Sequence, residues 1–140
     1  MLEKLVINNV ALIQRAEIEF GEGLNVLSGE TGSGKSVILD SINFVLGAKA
    51  DRSMIRHGEN ECSVFALFRI GKDSAAYEAM DAIGIEPDEE IVISRKYRAD
   101  GRGDIRLNGS PLNAGMLRGI TSHLVDVHGQ SEHFYLLNEA

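Results

Sequence analysis

The chain has a single cysteine, Cys62, among its 140 residues. A lone cysteine closes no internal disulfide, which fits a reducing, cytoplasmic setting. Cys62 opens an apolar stretch, so a small core residue is expected there in preference to a reactive thiol. No apolar run approaches the roughly 18 residues that span a bilayer, so no membrane partner is expected. The start, MLEKLVI, is no signal peptide, because Glu3 interrupts a very short apolar run. Basic residues are in the minority, 14 against 21 acidic ones, for a net charge of −7. That balance argues against a wholly basic nucleic-acid binder, so any DNA contact must come from a local patch. There is no internal repeat and no low-complexity tract. What is present is ordinary for one globular domain with a real core: 44% hydrophobic and 25% charged residues.

The most informative stretch runs from Leu24 to Leu46. Leu24 to Ser28 is a short apolar run with the look of a buried strand. Gly29-Glu30-Thr31-Gly32-Ser33-Gly34-Lys35-Ser36 fits the pattern G-x-x-x-x-G-K-[ST]. Val37, Ile38, Leu39, Ile42, Val45 and Leu46 then recur at helical spacing, and Gly47 stands where a C-cap belongs. Strand, glycine loop, helix is the context that separates a phosphate-binding loop from a glycine-rich turn that matches by chance. Gly29, Gly32 and Gly34 allow a tight bend and close approach of backbone to ligand. Successive N–H groups then form an anion-binding nest, and the helix, expected to start near Lys35, adds its positive end. Lys35 is expected to hold the β- and γ-phosphates of ATP. Ser36 is expected to place its hydroxyl on Mg²⁺.

The remainder reads as alternating short strands and helices. Leu2, Leu5 and Ile7 precede Asn8-Asn9, read as a turn, and Ala16 to Phe20 alternates as a half-buried strand with Ile18 and Phe20 on one face. The loop from Gly47 to Gly58 carries Lys49, Arg52, Arg56 and His57. Cys62 to Ile70 reads as a strand covered on both faces. Asp73 or Ser74 can cap a short helix that stops at Gly84. Glu90 to Arg98 is a strand with Ile91 and Ile93 inward, turning through Asp100-Gly101 into Ile105 to Leu107. Asn108-Gly109-Ser110-Pro111 is a turn, and Asn113 can cap a helix through Met116, Leu117 and Ile120. His123 to Val127 is read as a last strand and Phe134 to Ala140 as the start of a helix. Arg95, Lys96, Arg98, Arg102 and Arg106 form a basic hairpin around Asp100 and Asp104. It reads first as a solvated face and, second, as a surface for phosphate backbone.

Some expected parts are missing. A P-loop ATPase also needs an apolar strand ending in an acidic pair. The nearest candidate, Leu124-Val125-Asp126, is followed by Val127 in place of a second carboxylate, and Asp126 reads more readily as an ordinary polar strand residue. There is no N-K-x-D motif for guanine and no arginine-rich lid of the small-kinase type.

INNVALIQRAEIEF, GLNVLSGETGSGKSVILDSINFVLGAKADRSMIRHG and LVDVHGQSEH together resemble the amino-terminal head segment of the RecN family. These are bacterial DNA double-strand-break repair ATPases of the SMC and ABC-type superfamily. GETGSGKS alone would identify only a P-loop protein; the IRHG and VHGQSEH stretches make the likeness specific, and it covers nearly the whole chain. The resemblance implies an α/β fold, a mixed sheet around the P-loop helix, forming an incomplete ABC-type head. It implies that residues 1–140 are the first half of that head, with a glutamine loop at about residues 128–133. The partners it implies are a carboxy-terminal head segment carrying the signature and the acidic strand, an opposing head in a dimer, and DNA. The setting it implies is the bacterial cytoplasm, in association with the nucleoid. By the same likeness Gln130 reaches Mg²⁺ and the attacking water, a role in addition to that of Lys35, and a neutral amide can offer its oxygen to a hard cation. Arg56 falls where SMC-like heads carry an arginine near nucleotide and DNA; the alternative is a solvated loop residue. His128 and His133 could suggest a metal pair, but the glutamine-loop reading explains that segment better. Two other function classes stay open: a non-hydrolytic nucleotide-binding or interaction module, and another P-loop enzyme such as a small kinase.

Overall fold

The computed structural model describes residues 2–20, 32–127 and 134–136, with side chains at 2–20 and 37–124. Six strands form one sheet in the order β2-β1-β3-β4-β5-β6, and every pairing in it is antiparallel. They are β1 (Leu2–Val10), β2 (Ile13–Glu19), β3 (Glu61–Arg69), β4 (Glu90–Arg98), β5 (Gly103–Leu107) and β6 (Ser110–Pro111). Among the described residues three α-helices accompany them: α1 (Gly32–Val45), α2 (Ala75–Ala82) and α3 (Ala114–Thr121). A small second sheet pairs β7 (Val125–Val127) with β8 (Phe134–Leu136).

Period-two alternation builds the core. Cys62, Val64, Ala66 and Phe68 of β3 are buried, as are Ile91 and Ile93 of β4. Register aligns them in rows: Leu5, Ala66, Ile93 and Leu107 make one row across β1, β3, β4 and β5. Helix α1 packs against β3, β1 and β4 and buries Ile38, Ile42, Phe44 and Val45. Helix α2 packs against α3. The caps sit where local chemistry puts them. The Ser74 hydroxyl accepts from the Tyr77 N–H at 3.2 Å, and the Asn113 side-chain oxygen accepts from the Met116 N–H at 2.8 Å. Glu90 to Arg98 is a strand end to end, as its pattern implies.

Four expectations are corrected. Asn8-Asn9 is not the first turn. Asn8 pairs with both Arg15 and Ser63, and the strand runs on to Val10. Asn9 adopts φ +58, which shifts the alternation so that Val10 is buried; the turn comes at Ala11-Leu12. Strand β3 is buried on one face, while Phe65 and Leu67 on the other are half-buried. An antiparallel sheet needs only one face fully covered. His123 and Leu124 belong to the turn that ends α3, their N–H groups donating to Ile120 and Thr121 carbonyls at 3.1 and 2.8 Å, so β7 starts at Val125. Phe134 to Leu136 is strand, not helix, because Phe and Tyr suit a pleated chain and β7 supplies its hydrogen-bond partners.

The far side of β4 is closed by a side chain. Strand β5 reaches only as far as Ile93. Beyond it the Asn108 amide accepts from the Val92 N–H at 2.7 Å and donates to the Glu90 carbonyl at 3.1 Å.

Candidate functional site

Helix α1 begins at Gly32, inside the Gly29–Ser36 stretch, so Lys35 and Ser36 ride in its opening turns. That end carries no acidic residue in its first turn. A helix start of this kind can offer its first N–H groups and positive dipole end to an anion. The strand expected at Leu24 to Ser28 and residues Gly29, Glu30 and Thr31 lie outside the described residues, as do the side chains of Ser33, Lys35 and Ser36. Gln130, His128 and His133 also lie outside them. Asp126 is in β7 opposite Tyr135, with only its backbone described.

The opposite end of α1 is resolved in full. Gly47, at φ +115, ends the helix. Its N–H donates to the Phe44 carbonyl at 3.1 Å, and the Ala48 N–H donates to the Asn43 carbonyl at 3.0 Å. This is the paired closure that a left-handed glycine permits. Three side chains from elsewhere complete it. Arg95 Nη1 of β4 donates to the Phe44 and Ala48 carbonyls at 2.7 and 2.6 Å. Arg118 Nη1 of α3 donates to the Gly47 carbonyl at 2.9 Å, and the Thr121 hydroxyl donates to the Leu46 carbonyl at 2.5 Å. The Arg95 guanidinium also lies over the Phe44 ring, 4.4 Å from its centroid. Burial, and then the charge of Arg118, push the Arg95 pKa down.

The basic hairpin is therefore not one surface. Arg95 is buried beneath α1 and unavailable to a phosphate backbone. The rest are at the surface and paired with carboxylates. Lys96 and Arg98 lie 3.6 and 3.4 Å from Glu61, Arg102 3.2 Å from Asp100, and Arg106 3.3 Å from Asp104. That is the arrangement of a solvated face. The signal that would have separated Arg95 is parity: it shares the inward face of Ile91 and Ile93.

Arg56 sits on a loop docked to the end of β1. Asp51 caps a 3-10 turn over Arg52–Met54, accepting from the Ser53 N–H at 2.6 Å. The Ala11 N–H then donates to the Met54 carbonyl at 2.8 Å, and the Arg56 N–H to the Asn9 carbonyl at 2.8 Å. The Arg56 guanidinium is 3.8 Å from Glu59 and partly exposed. Its backbone is held while its side chain stays accessible. Cys62 is buried in β3, and desolvation pushes its thiol up to about 11, which suits the core role. Among the described residues no helix is long and apolar enough to cross a membrane.

Comparison with known proteins agrees with this architecture. The chain is 39% identical over 140 residues to DNA repair protein RecN of Halalkalibacterium halodurans, covering 99% of this chain and 25% of that protein. It thus spans about a quarter of the length of that relative. A solved structure from work on ATP-driven dimerization and DNA-stimulated activation of SMC ATPases superposes with a TM-score of 0.69 at 26% identity. That likeness covers 87% of this chain and 78% of the other. The SMC head domain from Thermotoga maritima gives a TM-score of 0.58 at 26% identity, over 84% of this chain and 40% of that one. The fold is thus α/β, that of an SMC-type ATPase head, and the sequence resemblance to RecN holds. Residues 4–133 match the model of the AAA domain family, and the chain belongs to that family.

Proposed function

We propose that the chain is the ATP- and Mg²⁺-binding half of a bacterial DNA double-strand-break repair ATPase head. The observation that carries this is the start of α1 at Gly32, within the glycine-rich stretch and free of first-turn carboxylate. The residues present fit a triphosphate. Glycines 29, 32 and 34 allow close backbone approach, Lys35 offers a cation to the β- and γ-phosphates, and Ser36 offers a hydroxyl oxygen to Mg²⁺. Gln130 offers an amide oxygen to the same ion. Bound Mg²⁺ would supply neutralisation of the triphosphate's negative charge. Arg56, held at the end of β1 with an accessible guanidinium, is the residue that would link the nucleotide site to DNA. The proposed partners are a carboxy-terminal head segment, an opposing head and DNA, in the bacterial cytoplasm at the nucleoid. The relatives' names and the SMC-type fold support this reading.

Calorimetry with ATP and Mg²⁺ tests it. Wild type should bind, and Lys35→Ala should lose most of that affinity while keeping its fold, because the ammonium's proposed contribution is charge at the phosphates. Unchanged affinity in a folded Lys35→Ala protein would sink the phosphate assignment.

A further inference from the structure

One row across the buried face of the sheet is apolar at all but one position. Ile7, Val64, Arg95 and Ile105 align through β1, β3, β4 and β5. Arg95 is only 9% exposed, and among the described residues no carboxylate pairs with it. A cation taken out of water without a counter-ion is costly. Here the compensation is the carbonyl end of α1 and the face of Phe44. Helix α1 has no basic residue in its own last turn. The carbonyls of Phe44, Leu46, Gly47 and Ala48 at that end are instead held by Arg95 of β4 and by Arg118 and Thr121 of α3.

We propose that Arg95 and Arg118 are positioning residues for the phosphate-binding end of α1. The inference rests on the nucleotide reading above. They act by clamping one end of a rigid rod whose other end carries Lys35 and Ser36. A helix of this length is a lever of about 21 Å, so a tilt of about 3° at the clamp moves the opening turn by about 1 Å. Misplacement on that scale costs up to about 100-fold in rate where reacting groups must stand in register, and it weakens contacts to a bound ligand in the same direction. Ordinary helix capping would contribute stability alone; a clamp also sets where the first turn stands.

The test compares wild type with Arg95→Met, Arg95→Lys and Arg118→Gln. ATP·Mg²⁺ affinity is measured by calorimetry well below the melting temperature, beside thermal unfolding with and without ATP. Arg95→Met should bind about 5- to 50-fold more weakly than wild type, and Arg118→Gln about 3- to 10-fold. Arg95→Lys keeps the charge but not the planar fork, so it should fall between wild type and Arg95→Met. The rise in Tm caused by a fixed ATP concentration should shrink in the same order. Variants that melt lower yet bind ATP with wild-type affinity would overturn the proposal and leave only a cap. If Arg95→Met fails to fold, Arg118→Gln decides alone, since Arg118 is exposed. A wild type that binds no ATP, or binds it equally after Lys35→Ala, defeats the nucleotide reading. Binding that needs Lys35 but ignores Arg118→Gln defeats only the clamp.

Discussion

Replacing Gly47 by alanine probes the end of α1 most directly. Gly47 sits at φ +115, and a Cβ built there lies 2.6 Å from Cγ of Arg118. Two costs follow. The left-handed backbone costs a residue with a Cβ about 1–2 kcal/mol. Arg118 must also swing away, giving up its hydrogen bond to the Gly47 carbonyl, worth about 1 kcal/mol for an exposed cation. Gly47→Ala should therefore destabilise by about 2–3 kcal/mol, and urea unfolding with a slope of about 2 kcal/mol/M should show a midpoint lower by about 1–1.5 M. Gly58→Ala is the control: φ is +90 there, and nothing lies within 4 Å of the added Cβ. It should carry the backbone cost alone. A double-mutant cycle with Arg118→Ala completes the experiment. With Arg118 removed, Gly47→Ala should cost no more than Gly58→Ala, leaving a coupling of about 1 kcal/mol. If Gly47→Ala costs no more than Gly58→Ala in the presence of Arg118, the contact between α3 and the helix end carries no energy and the reasoning fails.

Other outcomes can be checked more briefly. Arg56→Glu should weaken the DNA affinity of the full-length protein and flatten its salt dependence while leaving ATP binding in place, because charge reversal sets repulsion against phosphate; a salt titration that matches wild type makes Arg56 a bystander. The folded Cys62 thiol titrates at about 11, above its unfolded value, so the unfolded chain gives up that proton first as pH rises. Its contribution is fully present below about pH 8.5 and is lost by about pH 11, and denaturant titrations of wild type against Cys62→Ala should converge across that window. The 140-residue chain should bind ATP·Mg²⁺ yet release phosphate at a negligible rate, since positioning and charge stabilisation do most of the work in phosphoryl transfer. Robust turnover abolished by Lys35→Ala would point to Asp126 or another carboxylate of this chain as a Mg²⁺ ligand.

What could be read in the sequence was whatever depends on neighbours along the chain. Ser74 and Asn113 cap their helices because the donor they need lies three residues ahead. Gly47 ends α1 because a left-handed residue is needed there. Ile91 and Ile93 point inward because strands alternate. What escaped depends on partners far away in sequence. Asn8-Asn9 has the composition of a turn, yet pairing with Arg15 and Ser63 keeps the strand going. Phe134 to Leu136 is strand because β7 stands beside it. Arg95 falls in a run of cations that reads as one surface, and the carbonyls that hold it buried lie 51 and 47 residues back. For the candidate site, the loop pattern announced a helix near Lys35, which in fact starts three residues earlier at Gly32, whereas nothing local announced the polar contacts at its other end.

The Asn108 amide has a consequence for colloidal behaviour. Where β5 stops short, Glu90 and Val92 would otherwise show an unpaired carbonyl and N–H along the rim of β4, a template onto which a strand of another molecule can zip. The side chain answers both groups as a passing strand would, but ends after one residue and offers nothing further to extend. Asn108→Gly, which keeps the left-handed backbone at φ +50, would reopen that rim, and the cost should surface as soluble oligomers or cross-β deposits at high concentration rather than as a large drop in melting temperature.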